Sequence, residues 1–432
     1  MSESLASTSV EAQLDRRRAA AAAEWRLDDA IVLIGAGEPI HIPGRHDLTY
    51  PFRAHSEYYY LTDRNRPDGV LAFDPAAGWS DFVSPVSEDE RVWSGLTAGE
   101  PGGRPVSELP DWLRSRAGRP VAGLGAPVPG VEASSALSAG LRLGLSGVRR
   151  PKDAVELERM RVAERATRAA FAAIVPELRA GVTEREIEVA FWAAAVRHGG
   201  DTVAYETIVG GGTDSAVLHF PPSRRPLARG ELVLIDAGAE YRCYASDVTR
   251  TYPVGDELSS EQLELHSVVR AAELAAIQRC TVGTEWRDVH LTAAQVIAEG
   301  LIAFGVLRGE PTALVESGAV WLFFPHGVGH LVGLGVRDAG DPIPERRDEP
   351  PPFPGLRINL PLAPGFVVTV EPGLYFIPAL LEDPERRARH RGHVAWDRID
   401  RLLEFGGIRI EDNVLITGDG PQLLTADIPV LG

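Results

Sequence analysis

Four apolar, strand-like runs in this chain end in an acid or carry one. Glu231 to Asp236 reads Glu-Leu-Val-Leu-Ile-Asp, Tyr244 to Thr251 carries Asp247, Val367 to Glu371 reads Val-Val-Thr-Val-Glu, and Gly406 to Asp412 carries Glu411. A carboxylate on an apolar strand is costly to bury unless a cation or a shared proton compensates it. The fold must therefore bring an answering charge to these strand ends. The first two runs flank Gly238 and read as a hairpin. With the strands paired around Tyr241 and Arg242, Asp236 and Asp247 fall opposite one another. Taken alone, turn-capping aspartates remain the commoner explanation of such a pair.

The run Phe323-Phe324-Pro325-His326-Gly327-Val328-Gly329-His330 adds two histidines four apart, beside glycines that let backbone approach closely. Four strand-borne carboxylates with one imidazole make a hard, oxygen-rich ligand set, suited to manganese, cobalt or iron(II) more than to thiolate-loving zinc. Two divalent cations would neutralise four carboxylates. Two metals ~3.5 to 4 Å apart can share a hydroxide nucleophile and polarise a carbonyl oxygen, which points to hydrolysis of an amide bond.

Other chemistries are excluded by what the chain lacks. Lys152 is the only lysine, so a Schiff-base lysine would have to be that residue, and its place before Asp153 at a helix start reads as a solvated linker charge. No phosphate loop ending in Gly-Lys-Ser/Thr, no His-Glu-x-x-His and no Gly-x-Ser-x-Gly elbow occurs. A formal charge of −17 repels phosphate backbones and anionic membrane surfaces, so neither nucleic acid nor membrane is expected as a partner. No stretch approaches the ~18 to 20 apolar residues of a membrane span. Cys243 and Cys280 read as reduced thiols, and the acidic N-terminus ahead of Arg16, Arg17 and Arg18 lacks the order of a signal peptide; a cytoplasmic protein is expected.

The 432 residues suggest two or three domains. Ile31 to Gly37 reads as a strand entering a glycine turn, but one without the third glycine of a dinucleotide loop. Apolar and aromatic runs at Tyr58 to Thr62, Gly69 to Phe73 and Asp81 to Pro85 alternate with Pro/Gly turns, and the Gly-, Pro- and Ala-rich segments 95–110 and 117–147 read as loops. The character changes at Arg149-Arg150-Pro151. Asp153 with Glu156 and Thr183 with Glu186 form capping boxes, opening helices that break at Pro176 and near Gly199-Gly200. Further helical periods run from Ser260 to Arg279 and from Thr284 to Phe304, with strand-like hairpins between and after them.

Asp236, Asp247, His330, Glu371 and Glu411, in this order and with these flanks, strongly resemble the metallopeptidase family of aminopeptidase P, prolidase and methionine aminopeptidase over roughly Arg150 to Thr425. The resemblance implies an α+β chain with a pita-bread catalytic domain at 151–432 and, at 1–150, an N-terminal mixed α/β domain of the aminopeptidase P type. It assigns Asp236 to one metal, Asp247 and Glu411 as bridges, and His330 and Glu371 to the other metal, with Glu371 also the general acid/base. Tyr50-Pro51-Phe52-Arg53 and Tyr58-Tyr59-Tyr60-Leu61-Thr62 look like that family's N-terminal domain. His219, in Val217-Leu218-His219-Phe220, matches a histidine that faces substrate. His326 matches one that assists the tetrahedral intermediate, and Arg409 is a supporting residue.

The long interval from Glu371 to Glu411, with Arg-rich 386–391, resembles prolidases. Arg357 falls where prolidases grip a dipeptide's free carboxylate, a task suited to a planar bidentate fork. One departure stands out: where the family shows His-Gly-x-x-His-x-x-Gly-x-x-Val-His-Asp, this chain has Arg337 in place of the third histidine. Arg337 cannot donate a proton near neutral pH, though it could bind a substrate carboxylate. The resemblance thus implies an Xaa-Pro dipeptidase of the prolidase type, acting on a small peptide with proline at the second position. Two divalent ions, Mn²⁺ with Co²⁺ or Fe²⁺ as alternatives, and a homodimer are expected with it. An aminopeptidase P acting on longer Xaa-Pro peptides is the alternative, and a non-catalytic peptide-binding homologue the remaining one.

Overall fold

The computed structural model describes residues 2–45, 48–93, 95, 102–255, 257–346, 353 and 355–431. The chain divides into two compact units, Met1–Arg149 and Arg150–Gly432. No helix among the described residues is long and apolar enough to cross a membrane.

In the first unit, α1 (Ser2–Trp25) leads into β1 (Ile31–Gly35), α2 (Ser56–Thr62), β2 (Val70–Asp74) and β3 (Gly78–Val83). Then come α3 (Glu88–Trp93), β4 (Arg104–Pro105), α4 (Leu109–Arg114), β5 (Val121–Gly125) and α5 (Ser135–Arg149). The strands form one mixed sheet in the order β4-β3-β2-β1-β5, with β1 antiparallel to β2 and parallel to β5. β1 is buried on both faces, which is why Ile-Val-Leu-Ile is continuous rather than alternating. The tyrosine run is a helix, closed by Asp63 in the left-handed conformation at φ 57°.

The segments expected as loops are only partly so. Residues 96–101 lie outside the described residues, but α4, β5 and α5 fall in or across the two stretches. Gly140, Gly144 and Gly147 disguised α5, because each lowers helix propensity by roughly 1 kcal/mol. Gly144 is where α5 meets α1: a Cβ there would stand 3.0 Å from Glu24 Cγ. The Trp25 indole N–H donates to the Leu141 carbonyl at 3.0 Å.

The second unit opens with α6 (Ala154–Ile174) and α7 (Glu184–Arg197). Both expected capping boxes are present, with Asp153 Oδ1 accepting from Val155 N at 2.9 Å and Thr183 Oγ1 accepting from Glu186 N at 3.2 Å. There follow β6 (Thr202–Val203), β7 (Ile208–Gly211), β8 (Leu232–Asp236), β9 (Ala239–Tyr241), β10 (Tyr244–Ala245) and β11 (Thr249–Pro253). The long helices α8 (Ser260–Arg279) and α9 (Trp286–Ala303) and the short α10 (Pro311–Glu316) come next. After them lie β12 (Val367–Val370), β13 (Gly373–Tyr375), three short helices α11 (Pro378–Leu381), α12 (Pro384–Arg389) and α13 (Trp396–Leu402), then β14 (Gly407–Arg409), β15 (Asp412–Thr417) and β16 (Gly420–Leu423).

Among the described residues every strand pairing in this unit is antiparallel, giving small sheets β11-β8-β7, β10-β9-β6, β12-β15-β16 and β13-β14. The bridge Thr249↔Glu411 ties β11 to the residue before β15, and Leu331↔Val368 ties the segment after His330 to β12. One apolar core lies under α8 and α9 and takes in Trp286, Ile297, Phe323, Val368, Val370, Ile408 and Ile416. A second holds Phe171 and Phe191 edge to face against Val233, Ile235 and Tyr252. Strands are thus held from both sides, and their acid ends are fixed by packing of the residues before them. Cys243 and Cys280 are both buried, and neither is in a disulfide.

Lys152 departs from expectation. It is not a solvated linker charge but is buried, its Nζ 2.9 Å from Asp338 Oδ2, with side-chain exposures of 0% and 1%. Its four-carbon stem lies along Gly333, and the ammonium donates to the Arg150 carbonyl as well, at 3.2 Å.

Candidate active site

The hairpin forms, but its register is two residues off the expected one. Tyr241 pairs with Tyr244 and Asp236 with Thr249, because the turn is made by Arg242 and Cys243, at φ 47° and 66°. Two consecutive left-handed residues give the tight connection whose twist suits a two-residue hairpin. A shift of two keeps every side chain on its face. Asp236 and Asp247 are therefore diagonal neighbours on one face rather than direct opposites. Gly238 faces Asp247 from the other strand and has no room for a side chain: a Cβ would lie 1.8 Å from the Ser246 carbonyl oxygen.

The second pair of acids comes from β12 and β15. Their register sets Val370 against Asp412, so the next step outward sets Glu371 against Glu411. Glu411 is tied to the first hairpin as well, its N–H donating to the Thr249 carbonyl at 3.0 Å and its Oε2 accepting from Thr249 Oγ1 at 2.7 Å. His330 enters from the preceding segment, with its N–H on Thr369 Oγ1 at 3.0 Å. Its Nδ1 lies 3.2 Å from the Leu331 carbonyl, a contact that requires the proton on Nδ1 and leaves the Nε2 lone pair facing the acids. That Nε2 is 3.5 Å from Asp247 Oδ2 and 3.8 Å from Glu371 Oε1. Ligand atoms of Asp247, His330 and Glu411 all fall within 4.8 Å of one another.

Asp236 is held from two sides: Arg409 Nη2 donates to Oδ2 and the Tyr205 hydroxyl to Oδ1, both at 2.7 Å. Arg409 also donates to the Tyr375 hydroxyl at 2.9 Å, which stands 2.9 Å from His326 Nε2. His326 Nδ1 is 2.9 Å from the Gly327 carbonyl. A neutral ring satisfies both contacts only with Nδ1–H donating to Gly327 and Nε2 accepting from Tyr375. Burial pushes His326 down to about 3, which keeps the ring neutral.

The acids are strained toward protonation. Burial, reinforced by Asp236, drives Asp247 well above the usual carboxylate range, and burial with Asp247 and Glu371 does the same to Glu411. Burial pushes Glu371 up to about 7 and His330 down to about 4. Crowded oxygen donors with one neutral imidazole fit a hard divalent cation, which would remove the repulsion. The five residues that sequence placed in the ligand set thus come together on one cluster of strand ends.

They floor a cavity of about 620 Å³, whose wall includes Tyr205, His219, Phe220 and Arg337. His326 is not among the wall residues; it packs against Tyr375, with its Nδ1 3.9 Å from Glu371 Oε2. Arg337 is on the wall and exposed. Arg357 is exposed and off the wall, although its charge reaches His219, His326, His330 and Glu371. Sequence reasoning missed Tyr205, Thr249 and Tyr375. Only Thr249 carried a usable signal, two residues beyond Asp247 on the same strand face.

A buried donor set of this kind serves divalent cations and, through them, hydrolysis. Residues 158–418 match the model of metallopeptidase family M24, and residues 14–111 match that of the aminopeptidase P N-terminal domain. This chain belongs to metallopeptidase family M24 and is a metal-dependent hydrolase, with a pita-bread catalytic unit following the N-terminal one.

It is similar to a probable Xaa-Pro aminopeptidase pepP of Botryotinia fuckeliana (strain B05.10), at 31% identity over 394 residues, covering 88% of this chain and 86% of that one. Among solved structures it is similar to Pseudomonas aeruginosa aminopeptidase PepP, with TM-score 0.79 and 27% identity over 97% of this chain and 96% of that one. The low-pH form of aminopeptidase P from E. coli gives TM-score 0.78 and 26% identity over the same shares.

Proposed function

We propose that this chain is an Xaa-Pro aminopeptidase, cutting the amide bond before a proline in the second position and releasing the N-terminal residue. The observation that carries this reading is the buried donor set at the floor of the cavity, in a chain similar over 88% of its length to a relative named Xaa-Pro aminopeptidase. Asp236, Asp247, His330, Glu371 and Glu411 would hold two divalent cations, Mn²⁺ with Co²⁺ or Fe²⁺ as alternatives, Asp247 and Glu411 being shared. When bound, such ions acidify water and polarise a carbonyl oxygen.

The chain's own groups do the rest. Glu371 takes the proton of the attacking water as its oxygen adds to the scissile carbonyl carbon. It then returns that proton to the departing nitrogen as the C–N bond breaks. His219, on the wall, donates to the carbonyl oxygen as it becomes anionic. His326 has both nitrogens engaged, and so acts by holding Tyr375, and through it Arg409, against Asp236.

A dipeptidase is the second reading. The observation that favours it is Arg337 on the wall, a permanent cation able to pair with a dipeptide's carboxylate. Arg357, off the wall, gives it less support than the sequence suggested. Metal-reconstituted protein assayed on Ala-Pro, Gly-Pro and Ala-Pro-Ala separates the readings. Preference for Ala-Pro-Ala supports the aminopeptidase, preference for the dipeptides supports the dipeptidase, and no hydrolysis of any of them overturns both. A homodimer belongs to the proposal by family resemblance, and a cytoplasmic site of action is supported by two buried cysteines that form no disulfide; sedimentation and fractionation test these.

A further inference from the structure

Of the 44 cationic side chains in this chain, 43 are arginine. The single lysine is therefore the one place to ask what an ammonium does that a guanidinium would not. The surroundings of Lys152 give the answer. Its Nζ reaches Asp338 Oδ2 at 2.9 Å and donates to the Arg150 carbonyl at 3.2 Å. Its Cε lies 2.3 Å from where a Cβ on Gly333 would stand, so the stem already fills the space beside the loop. A planar guanidinium is wider and needs more acceptors.

The partner, Asp338, closes that loop twice. Its Oδ2 accepts from Leu334 N at 3.1 Å, and its own N–H donates to the Leu331 carbonyl at 3.0 Å. The loop's outer edge rests on the hairpin tip, with Gly335 N donating to Cys243 O at 3.0 Å and Ala245 N to Gly333 O at 2.9 Å. His330 stands at the start of the loop, and Arg337 is the residue immediately before Asp338. Arg150 adds a third tie, from Nε to the Ala339 carbonyl at 3.2 Å.

Burying an ammonium and a carboxylate is costly for each ion, and such a pair adds little stability over apolar side chains of the same size. A pair kept under those terms beside a cavity wall is explained by the geometry that it fixes. We infer that Lys152, through Asp338, is a positioning residue that holds loop 331–338 so that Arg337 faces the substrate. The inference rests on the peptidase reading above. It gives the one lysine a task in substrate recognition without contact to substrate.

The test is a cycle in Mn²⁺-loaded full-length protein with Ala-Pro-Ala and Ala-Pro as substrates. Wild type, R337A, the double variant K152M/D338N and the triple combination are compared for KM, kcat and bound metal. The double variant removes both charges together and leaves no unpaired buried ion. R337A in the wild-type background should raise KM about tenfold or more for at least one substrate, as loss of a charge-assisted contact does. K152M/D338N should raise the same KM with kcat and metal content held, and R337A should then add nothing. K152R should resemble the double variant despite its conserved charge. Independent, additive effects of R337A and K152M/D338N overturn the inference. A lowered Tm with unchanged KM, or an R337A variant with no KM effect, also overturns it. If wild type itself hydrolyses neither peptide, it is the peptidase reading that fails.

Discussion

On the cavity floor every donor hangs from, or is tied to, a paired strand. Asp236 stands across from Thr249, Glu371 is one step beyond the Val370↔Asp412 pair, and His330 is bonded to Thr369. On the rim the polar groups stand in connecting segments, His219 between β7 and β8 and Arg337 in 331–338, both exposed. Burial on the floor makes each charge costly and each contact obligatory. On the rim, solvent screens the same charges, and a residue can be exchanged at the cost of specificity rather than of the fold. This chain's departure from the family pattern, Arg337, falls on the rim.

The sharpest way to break this contrast is to remove a floor donor. Asp247→Ala or Glu411→Ala should lower turnover of an Xaa-Pro peptide by at least about 10³-fold, with loss of bound metal by elemental analysis, because each would take away a shared ligand. Turnover that survives in metal-free protein would remove the floor from the mechanism.

The same difference explains what could be read from sequence. Floor residues announce themselves because a carboxylate after Val-Val-Thr-Val or Leu-Val-Leu-Ile contradicts its surroundings. Asp236, Asp247, Glu371 and Glu411 were legible for that reason, and the two capping boxes because their geometry is local. The exact pairing of Asp236 was not legible, since the turn depends on Arg242 and Cys243 both accepting left-handed conformations, which neither residue type favours. Tyr205 and Tyr375 were silent because tyrosine is at home in any half-buried position. Lys152 was misread because only tertiary structure supplies its partner, 186 positions away. The glycines of α5 hid a helix whose need for them comes from its close approach to α1.

A second effect follows from proton linkage on the floor. Glu371 sits at about 7, and Asp247 and Glu411 well above the usual carboxylate range, all raised first by burial. In metal-free protein these groups stabilise the fold most below the unfolded carboxylate value, and that contribution is lost as pH rises through their folded values. Thermal denaturation of chelator-treated protein should therefore show Tm falling between about pH 5 and 8. Metal needs the deprotonated ligands, so its affinity should climb over the same range, about tenfold per pH unit for each proton released. Calorimetry in buffers of different ionisation enthalpy counts those protons; a pH-independent affinity would mean that the acids are already ionised.

A smaller effect separates a wall histidine from one whose two nitrogens are already engaged. His219→Ala should depress kcat about 10²-fold with metal content unchanged, as loss of a transition-state donor does. His326→Ala should cost less, about tenfold, and should disturb the metal site through Tyr375 and Arg409, in the way that outer partners of ligands act. Equal losses with full metal in both variants would show that His326 turns out of its two hydrogen bonds to meet the substrate.

The smallest expected effect belongs to Arg357, set against Arg337, which is also exposed. Arg337 is on the cavity wall and Arg357 is not, so a carboxylate in the cavity should read the first and hardly sense the second. Arg337→Ala should raise KM for Ala-Pro by one to two decades, the loss of roughly 1.5 to 3 kcal/mol from a charge-assisted contact, and should leave the C-terminally amidated peptide unaffected. Arg357→Ala should shift both substrates alike and by less than about threefold, the size of a screened surface charge. If Arg357 proves to be the one that distinguishes acid from amide, the carboxylate grip that the family resemblance implied for it returns. If neither does, Arg337→His becomes the informative variant. A rise in kcat would show that arginine at this position replaced a group used in the reaction, and an unchanged kcat that the rim tolerates either.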